Sequence, residues 1–328
     1  MTIRPFAWLP LLAALLIPGA VAQAQNYPNR PITMIVPFPA GGLTDVPARV
    51  MATLMSEKIG QNIVVENKTG ATGTIGAGLA ARATPDGYTL FANSLADAQN
   101  VHFVPVTYSP VDDFAQIGWI VDGPPIVAIV NAGLPYKTLQ EMIAASKADP
   151  KSVSFGTSGP ASSPHMALAL LNAAAKTSIV AVPYRGSGDA SRAVAGGQVQ
   201  GVFAFYSQAK PLVDDGKVRA LAVAAPTRIA AWPNVPTFQE LGYKIDFRGF
   251  VGLSAPAKTP KPIIEFLNKK LNEVAQSDAF KTRMSALGMA APAAADNTPE
   301  KYDAFIRKET ARQGEIAKLT GAKPPAKQ

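Results

Sequence analysis

The residues best suited to chemistry in this chain lie in loops that join an apolar run to a helical stretch. The first loop reads PFPAGGLTD from Pro37 to Asp45 and sits between Ile32–Val36 and Val46–Lys58. Paired glycines let the backbone approach a ligand, and Thr44 or Asp45 can cap the first helical turn. Exposed N–H groups at a helix start favour an anion. The loop therefore predicts a carboxylate or phosphate site, with an ordinary turn as the alternative.

A second loop, Ser154–His165, repeats this arrangement before another helical stretch. Its hydroxyl groups can donate to an anion, and Ser163 can cap the helix. Pro164 suits the first helical position, because no N–H is needed there. A solvent loop rich in helix caps is the alternative. Two such loops facing each other would hold one or two carboxylates without a salt bridge.

A third segment, Val182–Asp189, also follows a strand and opens a helix. Tyr184 is placed to close over a ligand, and Arg185 is either a bidentate clamp for a carboxylate or a rim residue. The aromatic side chains of the neighbouring run Gly201–Tyr206 either line the pocket or belong to the core. Core is favoured for at least one of them.

Other kinds of chemistry find little support in the sequence. The chain has no cysteine, and its two histidines, His102 and His165, form no cluster, so thiolate and imidazole metal sites are excluded. No pair of carboxylates suggests acid–base catalysis. The net charge of +8 is dispersed, without a basic stripe, which argues against nucleic acid. We therefore expect no metal, no cofactor and no catalytic residue.

Apolar runs alternate with amphipathic stretches along most of the chain, which predicts an α/β fold with largely parallel sheets. The predicted strands are Ile32–Val36, Ile63–Glu66, Thr89–Ala92, Ile126–Val130, Ser154–Gly156, Ile179–Pro183, Gly201–Phe205, Arg219–Ala224 and Gly249–Ser254. The predicted helices are Val46–Lys58, Ile75–Ala83, Leu139–Ala148, Ser163–Ala175, Ser187–Ala195, Ser207–Asp214, Val235–Leu241, Lys261–Ala275, Asp278–Ala286 and Pro299–Lys318.

Residues 1–24 have the features of a secretory signal peptide. Arg4 precedes an apolar stretch, Phe6–Ile17, and small residues follow at cleavage spacing in Ala20–Ala24. The apolar stretch is shorter than the ~20 residues needed to span a bilayer. We therefore expect a secreted, soluble protein that begins near Gln25.

Two segments are predicted to cross between domains, because each joins a Pro- or Gly-containing segment to a strand: Asp122–Pro125 and Arg248–Gly249. Crossings at these points would make residues 126–248 one lobe, and residues 25–125 with 249–328 the other. A double crossing favours a clamshell that closes on a ligand by hinge motion.

The chain also carries a series of longer motifs: PFPAGG with TD (37–45), VVENK with GA (64–71), PDGYTL (85–90), VPYRG (182–186), RALAV (219–223), PNVPT (233–237) and APAKTP (255–260). Together they closely resemble the solute-binding receptors of tripartite tricarboxylate transporters, the Bug-type periplasmic receptors. The resemblance implies a type II periplasmic-binding-protein-like fold, a two-lobed clamshell with a ligand cleft between the lobes. It also implies capture of a small carboxylate and delivery to a membrane permease with a large and a small subunit. We expect the receptor to act as a monomer in the periplasm.

By position, the resemblance assigns three ligand loops and two neighbouring pairs of residues. The first loop falls on Phe38, Ala40, Gly41, Gly42, Thr44 and Asp45; the second on Ser158, Ser162, Ser163 and His165; the third on Tyr184, Arg185 and Gly186. Asn93 and Ser94 fall beside the cleft. Relatives often have Asp-Asn where this chain has Ala204 and Phe205. An ammonium group would lack its counter-charge there, which favours a neutral-bodied, aromatic or dicarboxylic acid over an amino acid.

Two other functions stay open at this point. A receptor of this kind could present its bound carboxylate to a signalling partner instead of a permease. A secreted serine hydrolase could use Ser158, Ser162 or Ser163 with His165, although the chain has no Gly-x-Ser-x-Gly elbow.

Overall fold

A continuous path of hydrogen-bonded strands runs through both halves of the molecule. The computed structural model describes residues 27–321 except 151, 160–161, 185–186, 230 and 246, and the predicted signal peptide lies outside this part. Its strands are β1 (Ile32–Val36), β2 (Ile63–Asn67), β3 (Thr89–Ser94), β4 (Phe114–Asn131), β5 (Ser154–Thr157), β6 (Val180–Pro183), β7 (Gly201–Phe205), β8 (Val218–Ala224) and β9 (Arg248–Pro256). Its α-helices are α1 (Asp45–Ile59), α2 (Thr74–Ala81), α3 (Leu95–Asn100), α4 (Leu139–Ala148), α5 (Ser163–Ala175), α6 (Ser187–Ala195), α7 (Tyr206–Asp214), α8 (Lys261–Ala275), α9 (Asp278–Ser285) and α10 (Pro299–Leu319).

The strand order is β2-β1-β3-β9-β4-β7-β5-β6, with β8 paired to β4. The first half contains the parallel strands β1 to β3, and the second half contains the parallel strands β5 to β7. The prediction of largely parallel sheets is wrong for the joining strands. β9 pairs antiparallel with β3 and β4, and β7 and β8 pair antiparallel with β4. The antiparallel pairing of β4 with β9 follows from the chain path, because the chain passes out of the first half along β4 and comes back to it along β9.

β4 is the strand that both halves share. Its part Phe114–Pro125 pairs with β9, and its part Ile126–Asn131 pairs with β7 and β8. The prediction that the strand begins at Ile126 is therefore wrong. The register with β9 shifts between Asp122 and Pro125, where two prolines lack an N–H, so the pairing continues through an irregularity and does not end there.

The apolar core is divided into clusters, one of which joins the two halves. In the first half Met34 of β1 and Met51 of α1 pack in one cluster with Leu267 of α8. In the second half Phe155 and Phe203 belong to a cluster that also contains Tyr302 of α10. α10 packs against both β4 and α5, so the last described helix holds the two halves together.

Two further differences from the sequence-based prediction concern short elements. The helix predicted over Val235–Leu241 is wrong. This segment is a turn in which the Thr237 N–H donates to the Glu240 carboxylate at 2.7 Å and Thr237 bridges to Val223. The sequence did not predict α3, because six residues are too few to show a helical period.

Candidate ligand-binding cleft

A cleft of about 440 Å³ lies where the two halves meet. The first half supplies Phe38, Pro39, Gly42, Leu43, Thr44, Ser94, Leu95, Ala96, Val251 and Met289; the second half supplies Ser163, Ser187, Phe205 and Gln208; the segments where β4 and β9 cross supply Gly123, Pro124, Gly249 and Phe250. A cleft of this volume suits a small organic ligand.

The described residues that line the cleft have no charged side chain. Its polar side chains are those of Thr44, Ser94, Ser163, Ser187 and Gln208. An anion in this cleft would therefore be held by hydroxyls, by one side-chain amide and by backbone N–H groups.

The first loop places unpaired backbone donors at the start of α1. Within the described residues, the N–H groups of Leu43, Thr44 and Asp45 have no hydrogen-bond acceptor. The Gly42 N–H is used inside the loop, where it donates to the Pro39 carbonyl at 3.3 Å. Gly41 has a φ of +79°, a left-handed conformation that glycine adopts without strain. The loop therefore turns so that the start of a 15-residue helix faces the cleft.

Asp45 lies behind this loop and does not line the cleft. It is 1% exposed, and its carboxylate accepts from the Gly41 N–H at 2.9 Å, from Arg49 Nη2 at 2.8 Å and from Asn67 Nδ2 at 2.8 Å. Burial alone would raise the pKa of Asp45, but these hydrogen bonds hold it below its ordinary value. The prediction that Thr44 or Asp45 caps the first turn is wrong. The Thr44 side chain makes no capping bond, and the Asp45 carboxylate accepts from Gly41, which precedes the helix.

The second loop begins α5, and the prediction that Ser163 is its N-cap is wrong. The cap is Ser162, whose hydroxyl accepts from the His165 backbone N–H at 3.4 Å and donates to the Gly159 carbonyl at 2.7 Å. Ser163 is the first helical residue and lines the cleft. Burial lowers the pKa of the His165 imidazole, against a hydrogen bond to Gly159 that raises it, so the ring is neutral near pH 7.

The third segment reaches the cleft through a different residue from those predicted. Ser187, the first residue of α6, lines the cleft, and its hydroxyl lies 3.0 Å from that of Ser158. Tyr184 lies outside the cleft, in a surface depression that Pro183 and Arg192 also line. The predicted ligand residues Arg185 and Gly186 lie outside the described residues.

The predicted pair Asn93 and Ser94 ends β3, and the two side chains face different surroundings. Asn93 is buried, donates to Gln116 Oε1 at 3.1 Å and accepts from the Tyr302 hydroxyl at 2.6 Å. Ser94 lines the cleft and caps α3, where its N–H donates to Asp97 Oδ2 at 2.7 Å. At the second predicted pair, Ala204 is buried in the core and Phe205 lines the cleft.

The cleft thus brings together part of the predicted set. Phe38, Gly42, Thr44, Ser94, Ser163 and Phe205 line it, whereas Ala40, Gly41, Asp45, Asn93, Ser158, Ser162, His165, Tyr184 and Ala204 do not. Sequence reasoning missed Ser187, Gln208 and the apolar residues from α3, β9 and the segment after α9. The start of the predicted helix at Ser187 was the available signal for that residue.

The serines of the second loop are engaged in ways that do not resemble a nucleophile and base. Ser162 caps a helix through the His165 backbone, and Ser158 contacts Ser187; neither of these hydrogen bonds involves the His165 ring. Within residues 27–321, apart from the undescribed positions, no group of three or more acidic or imidazole side chains could hold a metal. Of the helices in the same part of the chain, none combines the length and apolar character that crossing a bilayer requires.

Comparison with known proteins decides the family. A family model, the tripartite tricarboxylate transporter family receptor, matches residues 47–321 of this chain. The chain belongs to this receptor family. Receptors of this family are periplasmic solute-binding proteins, and the predicted family is confirmed.

One curated relative and two solved structures show how far the similarity extends. Protein BugT of Bordetella pertussis is 36% identical over 309 residues, which cover 93% of this chain and 94% of BugT. MatC from Rhodopseudomonas palustris, solved with bound malate, has a TM-score of 0.75 at 31% identity, over 89% of this chain and 100% of MatC. R. palustris Rpa4515, solved with adipate, has a TM-score of 0.78 at 29% identity, over 91% of this chain and 100% of that protein. These structures confirm the two-lobed α/β solute-binding fold.

Proposed function

We propose that this protein is a periplasmic receptor that captures a small organic carboxylate in the cleft and delivers it to a membrane permease with a large and a small subunit. The observation that carries the proposal is the set of helices that begin at one uncharged cleft. α1, α5, α6 and α7 all have a lining residue at or within one turn of their start. Each such end offers partial positive charge to an anion, and the start of α1 also offers unpaired N–H groups.

The structures of relatives support the same ligand chemistry. MatC was solved with malate and Rpa4515 with adipate, both of which are carboxylates. The absence of a lining cation in the described residues favours recognition by N–H and hydroxyl donors over ion pairing. We propose no catalytic role for the serines of the second loop, and the receptor would act as a monomer.

The cleft walls favour a ligand with an uncharged body. Phe38, Phe205 and Phe250 contribute three aromatic rings, and Leu95 and Met289 add further apolar surface. The described residues that line the cleft offer no carboxylate to an ammonium group. We therefore propose an aromatic or aliphatic mono- or dicarboxylate as ligand, in preference to an amino acid.

Residues 1–24 support export. The apolar stretch and the small residues that follow it are typical of a cleaved secretory signal, which would release the receptor into the periplasm. Mass spectrometry of the protein recovered from a periplasmic extract would locate the new N-terminus, expected near Gln25.

The binding function is tested by a thermal-shift screen of mono-, di- and tricarboxylic acids, including aromatic ones. A ligand that binds only the folded state raises the melting temperature by mass action. The change Gly42→Val places a branched side chain on a lining residue, so it should abolish the shift. The matched control is Gly196→Val at the exposed end of α6. There an added Cβ would meet the Arg192 carbonyl at 3.3 Å, much as a Cβ at Gly42 would meet the Pro39 carbonyl at 3.2 Å.

The control variant should keep the ligand-induced shift. An equal shift in the wild type and in Gly42→Val would remove the first loop from the site. The absence of any shift across the whole panel would contradict the carboxylate-binding function.

A further inference from the structure

Asp97 is a buried carboxylate directly behind the wall of the cleft. Ser94, Leu95 and Ala96 line the cleft, and Asp97 is the next residue along α3, only 3% exposed. Ser94 also borders a small internal void of about 10 Å³ that Asp97 lines. Ser94 therefore stands between the Asp97 carboxylate and any ligand in the cleft.

The hydrogen bonds of Asp97 come from neutral groups. Its Oδ2 accepts from the Ser94 N–H at 2.7 Å and from the Ser94 hydroxyl at 3.4 Å, and its Oδ1 accepts from the Tyr108 hydroxyl at 3.4 Å. Within the described part of the chain, no lysine, arginine or histidine forms an ion pair with Asp97. A charge at this position is therefore desolvated without a counter-ion.

The other titratable groups around Asp97 stay in one form near neutral pH. Tyr108 faces it from the loop after α3, and Tyr302 faces it from α10. Burial raises the pKa of both phenols well above 10, so they remain neutral.

In these surroundings both the protonated and the ionised form of Asp97 are populated near neutral pH. Burial raises the pKa of Asp97 to about 7, although the hydrogen bonds from Ser94 and Tyr108 oppose the rise. A ligand carboxylate beside Ser94 would add a second negative charge nearby. Like charges disfavour ionisation, so the bound ligand would push the pKa of Asp97 higher still.

Given the carboxylate-binding function on which this rests, we propose that Asp97 is a positioning residue that takes up one proton when the ligand binds, and that the Ser94 hydroxyl then turns from Asp97 to the ligand. The proton comes from bulk solvent and bonds to Oδ1. Oδ2 continues to accept from the Ser94 N–H, so the cap of α3 is kept. The Ser94 hydroxyl then donates to the ionised ligand carboxylate in place of the neutral Asp97 carboxyl, because the ionised acceptor forms the stronger hydrogen bond.

The experiment is isothermal titration calorimetry with adipate, malate and benzoate between pH 6.5 and 8.5, where carboxyl groups with a pKa of about 4 stay ionised. For the acid that binds most tightly, we expect the Kd to rise by up to about tenfold per pH unit above pH 7. Titrations in buffers of different ionisation enthalpy should show uptake of up to about one proton per ligand near pH 7.5.

The matched variants are two Asp-to-Asn changes. Asp97→Asn should bind with a Kd that varies less than about twofold with pH and with no proton uptake. Asp113 does not line the cleft, and its carboxylate accepts a hydrogen bond of 2.7 Å from the Ser109 N–H. Asp113→Asn should therefore keep the wild-type pH dependence of the Kd. Tyr108→Phe removes a hydrogen bond that favours the ionised form, so it should move the midpoint of the pH dependence upward.

The outcomes separate the two proposals. If no acid binds at any pH, the proposed function fails. If an acid binds with no pH dependence and no proton uptake, or if the dependence persists in Asp97→Asn, the role of Asp97 is overturned and the receptor function stands. Should Asp97→Asn fail to fold, the wild-type proton uptake and the shift in Tyr108→Phe decide the matter. An unmoved midpoint overturns the proposal.

Discussion

Asp45 and Asp97 occupy similar places and have opposite electrostatic character. Each is a buried carboxylate in the first turn of a helix that begins beside the cleft, and both belong to the first half of the molecule. Asp45 receives a cation, an amide and a backbone N–H, and its pKa is lowered. Asp97 receives one backbone N–H and two hydroxyls, and burial raises its pKa to about 7.

The comparison teaches that burial and hydrogen-bond partners together decide the charge of a carboxylate. Asp45 has Arg49 one helical turn later and Asn67 beside it, whereas α3 has no cation at the matching position. Asp45 is therefore suited to hold one loop shape permanently. Asp97 is suited to change its protonation state with its surroundings.

The largest expected effect is on the pH dependence of stability at Asp97. Its folded-state pKa of about 7 lies above the unfolded value near 4, so the folded state holds the extra proton between these values and loses stability as pH rises through them. Asp97→Asn removes this loss. The free energy of unfolding of the variant relative to the wild type should therefore increase by on the order of 2–3 kcal/mol from pH 5 to pH 8. Urea unfolding at both pH values measures it. A difference that does not change with pH would show that Asp97 is ionised throughout.

Asp45→Asn should lower the free energy of unfolding by the same amount at every pH from 5 to 8. The new amide group would point a donor at the donors of Gly41, Arg49 and Asn67, which costs about 1–3 kcal/mol in unfolding free energy. Because the pKa of Asp45 is lowered, its stabilising charge is lost only as the pH falls below about 4. Urea unfolding at pH 5 and pH 8 should give equal losses, and a loss that grows with pH would contradict this assignment.

Arg49→Met should have the smallest effect on the free energy of unfolding at pH 7, and a measurable effect on unfolding in acid. Arg49 is half exposed, so the ion pair contributes less than about 1 kcal/mol at neutral pH. Without the cation the pKa of Asp45 should rise, and acid unfolding should begin at a higher pH than in the wild type. Circular dichroism between pH 2 and 6 follows this change. Lys58→Met, at the exposed far end of α1, is the control, and an equal shift in both variants would assign the effect to net charge.

Much of the fold could be predicted because the local signals and the tertiary structure agree. Ile32–Val36 is a strand as predicted, and the loop that follows it does start a helix at the cleft. The long strand β4 could not be predicted from local rules, because Pro124 and Pro125 are typical of a break. Their missing N–H groups are tolerated only where the register with β9 shifts, which is a tertiary fact.

The site residues also divide into those that local sequence signals could predict and those that depend on tertiary structure. Motif positions such as Gly42, Thr44 and Ser163 line the cleft, but the pattern could not show that Asp45 turns inward to Arg49 and Asn67. Asp97 did have a sequence signal. Ser94 to Asp97 reads as a Ser-x-x-Asp capping box, which marks a helix start even when the helix is too short for periodicity.

The crossing of β4 and β9 has a consequence for how ligand size can be selected. An added Cβ on Gly123 would stand 2.7 Å from the Gly249 carbonyl carbon, so the two strands meet backbone to backbone where they border the cleft. No larger residue fits at position 123 unless the strands separate, which fixes the depth of the cleft there. In the proposed receptor, we expect the rings of Phe38, Phe205 and Phe250 to set the discrimination between short and bulky acids. Exchanges at those three positions offer a route to new ligand preferences that leaves the junction of the halves intact.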